Sequence, residues 1–315
     1  VLIQACGFLR GTRILTPTGK VCIEDLRAGD LVVTRFSGLR PIKWIGRQTF
    51  DGRSLGETRD GLPVCIHAGA LGPGIPARDL YISAGHSLLI DGQLILACLL
   101  VNGVTITQDY APARAECFHI ELISHDCVLA EGGWAETFAD GPGRRDEFCN
   151  AAEFYALFPD HHAPERPVLC AARTICGPLL GAALEPIVAR ATTGLAPGHL
   201  RGFIDIAKPS GEITGWAHDE AHPDLPVLLQ VFVDGVVIGA ALAYAFRDDL
   251  RAAGFGRGRC SFRFTAGAPL TPAQLATLQI RRAADGADLP MVTECREMIE
   301  LACAKRAAPN MPEFA

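Results

Sequence analysis

Four neighbouring residues, Ser124, His125, Asp126 and Cys127, contain every side-chain type of a nucleophile, base and carboxylate triad. Neighbours on a strand point to opposite faces, so at most one or two of the four can serve a single site. His119-Ile120-Glu121 has the spacing of a zinc ligand and a general acid/base in a nucleobase deaminase, but no Pro-Cys-x-x-Cys follows it. That chemistry is excluded. His161 and His162 lack a companion carboxylate or cysteine cluster, so solvent-exposed histidines are expected there rather than a metal site. Gly254-Phe255-Gly256-Arg257-Gly258 sets its third glycine one position too early for a dinucleotide loop and reads as a turn. Taken alone, Ser83 reads as a turn residue and His86 as a core histidine beside an apolar strand. No metal and no cofactor is expected.

The elements that must position these residues are mostly short strands. Through about residue 138 they are divided by turn signals: Thr16-Pro17-Thr18-Gly19, Gly29-Asp30 and Phe36-Ser37-Gly38, with a polar loop at Gly52 to Gly61. Phe118, Ile120 and Leu122 alternate with His119 and Glu121, which predicts an apolar core face and a polar pair on the other. Residues 140–167 carry Gly-Pro-Gly and Pro-rich runs at either end and are expected as a linker, ahead of a helical connector at 168–198. From residue 199 to 315 the pattern is again β, with Asp234-Gly235 as a two-residue hairpin turn and a closing amphipathic helix around Cys295 to Cys303.

Composition narrows the function classes. Apolar residues make up 49% of 315 and charged ones 20%, enough for a core in each of two domains. A net charge of -6 gives no general footprint for nucleic acid, and no apolar run is long enough for a membrane span. Twelve cysteines occur without any Cys-x-x-Cys, so most are expected as small buried apolar side chains. The chain opens on Val1 with no signal-peptide pattern and is expected to be part of a longer precursor. The compartment is left open, with a secreted or cell-surface location preferred to a cytoplasmic one.

The run Gly7 to Gly19, with Phe8, Gly11 and Thr12, followed by Val21 to Thr34, resembles the opening block of the Hedgehog/intein (Hint) domains. Leu71 to Leu80, Ser83-Ala84-Gly85-His86, His119 to His125 and Val128 to Gly132 are similar to the bacterial Hint subfamily in order and spacing. The resemblance covers about residues 6 to 138 and implies a mainly β, pseudo-twofold horseshoe assigned to residues 1–139. It further implies attack by an N-terminal cysteine thiol on the preceding carbonyl, giving a thioester that a second nucleophile resolves. The family's Thr/Ser-x-x-His motif falls on Ser83 and His86, so the resemblance makes His86 the proton donor and Ser83 its orienting partner. The later family histidine falls on His125, with Asp126 as a base or orienting carboxylate. Gly202 to Asp205, Ile213 to Asp219 and Val231 to Gly235 resemble a β-sandwich accessory module of modular bacterial proteins.

One position departs from the family pattern. The residue directly before Phe8 is Gly7, and the nearby thiol, Cys6, is one place early. Either Gly7 is an insertion and Cys6 attacks the Ala5 carbonyl, or the fold persists as a catalytically inactive interaction or display module. The expected partners are an upstream polypeptide in the same precursor and an external nucleophile, water or another group. Carbohydrate is a further expectation, because Trp216 with Asp219 could stack and bind a sugar, against the plainer reading of a core tryptophan. Inteins finish with His-Asn, whereas this chain has Glu136-Thr137 at the corresponding exit, so no splicing is expected.

Overall fold

The computed structural model describes residues 7–51, 62–108 and 113–307. Cys6 and the loop expected at Gly52 to Gly61 lie outside them. The chain forms two compact units that divide between Ile175 and Cys176. Both are built mainly of antiparallel strands, as the sequence predicts.

In the first unit a six-stranded sheet has the order Ile106–Thr107, Val64–Ile66, Leu80–Ile82, Phe8–Leu9, Arg114–Glu121, Trp44–Asp51. The two-residue strand Phe8–Leu9 is central, and Phe8 faces Ile82 on one side and Phe118 on the other. A second sheet joins Ser87–Ile90, Gly133–Glu136, Cys127–Ala130 and Arg13–Thr16. Phe8, Ile14, Ile66, Ile82, Leu88 and Ile120 are fully buried, so the apolar alternation of both sheets converges on one interior.

The strand Arg114–Glu121 differs from its expected two-faced pattern. Ile120 is buried, but so are His119 and Glu121 on the opposite face, at 2% and 4% exposure. The cover comes from residues 140–167, the segment expected as a linker. Phe148 and Phe154 join Trp44 and Phe138 in one apolar cluster, with Trp44 and Phe148 ring centroids 5.4 Å apart. Gly46 makes room: a Cβ on it would come 2.6 Å from the Phe148 ring. Arg145 forms a two-pronged ion pair with Glu121 and a further one with Asp140 at 2.8 Å. Asn150 accepts from the Arg47 N–H and donates to the Ile45 carbonyl, clamping the segment to the strand Trp44–Asp51. His161, expected as exposed, lies 2.6 Å from the Asp140 carboxylate.

The second unit is a sandwich of two four-stranded sheets whose inner faces share one core, including Ile204, Ile213 and Phe264 from one sheet and Leu229, Val231 and Ile280 from the other. Asp234 and Gly235, at φ 52 and 75, close the expected hairpin between Val233 and Val236. The helix Pro178–Ala191 starts with its proline in the first turn, and Thr293–Ala307 closes the unit. No helix among the described residues is long and apolar enough to cross a membrane.

Candidate active site

Sheet register assembles the site. Phe8 pairs with both Ile82 and Phe118, so one residue earlier in the central strand Gly7 stands between Ser83 and His119. The Gly7 N–H donates to Ser83 Oγ at 3.1 Å, and the Ser83 N–H donates to the Gly7 carbonyl at 2.9 Å. Ser83 therefore grips the peptide that joins residue 6 to residue 7. A tight turn, His86 N–H to the Ser83 carbonyl at 3.0 Å, then carries the chain inward to His86.

His86 is fully buried. Its ring meets the Phe8 edge at 4.7 Å and the His119 ring at 4.9 Å between centroids. Neither of its ring nitrogens, nor His119 Nδ1, has a hydrogen-bond partner among the described residues. Burial pushes the His86 pKa down to about 4, and burial together with the neighbouring His86 holds His119 well below its ordinary value. Both imidazoles are thus neutral at pH 7, with lone pairs free to take a proton.

Glu136 supplies the negative charge of this region. Its Oε1 accepts from the Ser87 N–H at 2.8 Å, and its Oε2 accepts from Arg173 at 2.6 Å and faces His125 Nε2 at 3.5 Å. Burial opposes its ionisation, but His125, His86 and Arg173 outweigh that cost and hold the carboxyl well below the usual range. Burial likewise opposes a charge on His125, yet the Cys170 thiol and Glu136 raise its pKa to about 9. The hydrogen bonds point the other way. The Cys170 N–H is directed at Nδ1 from 3.0 Å, so that nitrogen keeps its lone pair and the neutral ring carries its proton on Nε2. An Nδ1 proton would meet the Cys170 amide hydrogen head-on.

Of the residues picked out in the sequence, the structure brings Ser83 to the Gly7 peptide, sets His86 against the adjoining Phe8 ring, and places His125 beside Glu136, which in turn holds the Ser87 N–H. Asp126 is employed otherwise: its Oδ1 accepts from the Phe36 and Cys127 N–H groups at 3.1 and 2.7 Å, and its own N–H donates to Thr137 Oγ1. Cys6 lies outside the described residues. His119 and Glu136 were not selected as site residues in the sequence. The signal for His119 was its place one residue past Phe118, which carries meaning only once the pairing with Phe8 is known.

Gly7 is the unusual backbone. Its φ is +95, and a Cβ built on it would come 2.2 Å from the Phe118 carbonyl oxygen. Only glycine fits there.

In the second unit Trp216 is 8% exposed and stacked on Phe255 at 4.6 Å, while Asp219 accepts from the Gly198 and Ala221 N–H groups and pairs with Arg282 at 2.8 Å. Both side chains serve the fold.

Antiparallel sheets thus bring the Gly7 backbone, the Ser83-to-His86 turn and the strand Gly133–Glu136 together. Residues 6–142 match the family model of the Hint domain, whose fold implies self-processing capacity in general. Solved structures similar to the chain include the MchDnaB-1 intein, at 13% identity over 41% of this chain and 99% of that one, with a TM-score of 0.30. A bacterial intein-like domain from Clostridium thermocellum matches at 16% identity, 42% and 98% coverage and a TM-score of 0.30. The gp41-1 intein matches at 15% identity, 41% and 97% coverage and a TM-score of 0.30. No curated protein sequence matches the chain.

Proposed function

We propose that the first unit cleaves an upstream polypeptide from itself, with Cys6 as nucleophile and His86 as the proton carrier. The Cys6 thiol attacks the Ala5 carbonyl carbon, the Ala5–Cys6 amide bond breaks, and the thiol proton passes through the neutral His86 ring to the departing amine. The acyl group then sits on Cys6 Sγ as a thioester. Water, or an external nucleophile, takes the acyl group and returns the thiol. Holding these groups within one chain supplies the proximity advantage of an intramolecular reaction.

The observation that carries this reading is the backbone at Gly7. A residue that had merely exchanged cysteine for glycine would leave space where the side chain had been. Here the space belongs to the Phe118 carbonyl. On this reading the glycine at position 7 is an insertion in the family pattern, which leaves Cys6 as the thiol-bearing residue ahead of Phe8. One observation favours the alternative of a chemically silent interaction module: the Ser83 hydroxyl holds the amide one bond downstream of Ala5–Cys6.

The deciding experiment fuses a soluble reporter ahead of Val1 and follows its release with and without added thiol or hydroxylamine. Release is expected from the parent chain and from Cys22→Ala, and is expected to stop in Cys6→Ala. A double variant, Cys6→Ala with Gly7→Cys, is expected to stay inactive, because position 7 has no room for a side chain. Activity in that double variant would return the nucleophile to position 7, and no release from the parent chain would favour the silent module.

A further inference from the structure

The hairpin that delivers Ser83 carries a second cluster of chemically capable side chains. Val64–Ile66 runs antiparallel to Leu80–Ile82, with Cys65 opposite Tyr81 and Ile66 opposite Leu80. Extending that register by one residue sets His67 across from Asp79. Residues two apart on a strand share a face, so Cys65, His67 and Asp79 emerge on the same side of the hairpin. His67 Nδ1 lies 3.6 Å from Cys65 Sγ and 3.1 Å from Asp79 Oδ2, and the three atoms all lie within 4.8 Å of one another.

The Cys65 thiol also has Tyr81, opposite it on the hairpin, as a hydrogen-bond partner, so His67 Nδ1 can serve either neighbour. A protonated Nδ1 can donate to Asp79 but cannot accept from the thiol; an unprotonated Nδ1 can accept from the thiol but then meets the carboxylate lone pair to lone pair. All three atoms can also offer lone pairs to a cation placed among them. Tetrahedral zinc with bonds of about 2.3 Å to sulfur and about 2.0–2.1 Å to nitrogen and oxygen separates its ligands by about 3.6 Å for sulfur to nitrogen and about 3.3 Å for nitrogen to oxygen. The sulfur-to-nitrogen and nitrogen-to-oxygen spacings, 3.6 and 3.1 Å, stand close to these values. The other Asp79 oxygen, Oδ1, accepts from the Ala68 N–H at 2.9 Å, the kind of outer hydrogen bond that fixes a ligating carboxylate.

We infer that Cys65, His67 and Asp79 bind one divalent transition metal of the zinc class. Cys65 is buried, while the His67 and Asp79 side chains are 41% and 43% exposed, which leaves the outer side open for water as a fourth ligand. Cys65 would bind as thiolate, releasing its proton to solvent. The site is separate from the Gly7 centre in its ligands but shares its hairpin: Ser83 follows four residues after Asp79, and Ile82 pairs with Phe8. Bound metal would therefore staple the element that presents Ser83.

The test is a cobalt(II) titration of the reduced 315-residue chain after chelator treatment and buffer exchange. One equivalent is expected to bind with a thiolate-to-cobalt charge-transfer band that zinc(II) displaces. Cys65→Ser should abolish the band, and Cys149→Ser, at an exposed thiol, should leave it unchanged. His67→Gln and Asp79→Asn should each weaken binding by at least about tenfold. Because Cys65 is buried and its variant could fail to fold, circular dichroism accompanies each titration, and the exposed Asp79→Asn variant decides the matter if Cys65→Ser does not fold. No stoichiometric band, a band that survives in folded Cys65→Ser, or unchanged affinity in Asp79→Asn overturns the site.

Discussion

Burial gives His86 a stability signature. Its pKa in the folded chain is about 4, against 6.5 for the free group, so the unfolded chain takes up the proton first as pH falls. Stability from this residue is therefore constant above about pH 6.5, declines between about pH 6.5 and pH 4, and has lost up to about 3 kcal/mol below that. His86→Gln removes the titration. Urea unfolding across that range should show the parent chain losing stability faster than the variant, and parallel pH profiles would contradict a buried, neutral His86. Ser83 and His86 could be read from the sequence because they stand three residues apart in one turn, and a local motif survives in a linear text. His119 and Glu136 could not, because they reach the site from strands distant in sequence, through the pairing of Phe8 with Phe118 and of Ala135 with Leu88.

At the scale of elements, strand patterning was legible where turn chemistry is local, as at Asp234-Gly235. The role of residues 140–167 was not. Their Gly-Pro-Gly and Pro-rich ends describe how the backbone bends, while the seating of the segment depends on Phe148 and Phe154 finding the gap over Gly46 and on Arg145 meeting Glu121. No local pattern encodes a gap in a strand elsewhere. The same contacts bring the segment to His119, since Phe148 flanks that ring at 6.3 Å between centroids, beside Phe138 at 5.5 Å. Phe148→Ala should therefore cost about 3–5 kcal/mol of stability in the first unit and slow reporter release by loosening His119. Denaturant melts of the two chains measure the first effect. A loss below about 1 kcal/mol would mean that the segment is only lightly held.

For the whole molecule, the proposed cleavage has a defined set of products. Splicing requires that the exit of the domain break as well as its start, through an asparagine side chain cyclising on its own carbonyl with a histidine beside it. Here the exit pair is Glu136-Thr137, and both side chains are bound: Glu136 to the Ser87 N–H and Arg173, Thr137 to the Asp126 N–H. Asn150, the nearest downstream asparagine, has its amide committed to the Arg47 N–H, the Ile45 carbonyl and Glu153, so it is held away from its own carbonyl. Breaking those bonds to cyclise would strip a buried clamp from the strand Trp44–Asp51 and gain no assisting histidine, since Cys149 precedes it. Processing should therefore yield two products: the upstream polypeptide ending at Ala5, and a single chain from Cys6 onward with both units still joined. Mass spectrometry of a chain tagged at both ends reads this directly. A product that joins the upstream tag to sequence after Asn150, with residues 6–150 excised, would show that the exit does break and that its hydrogen bonds are no barrier.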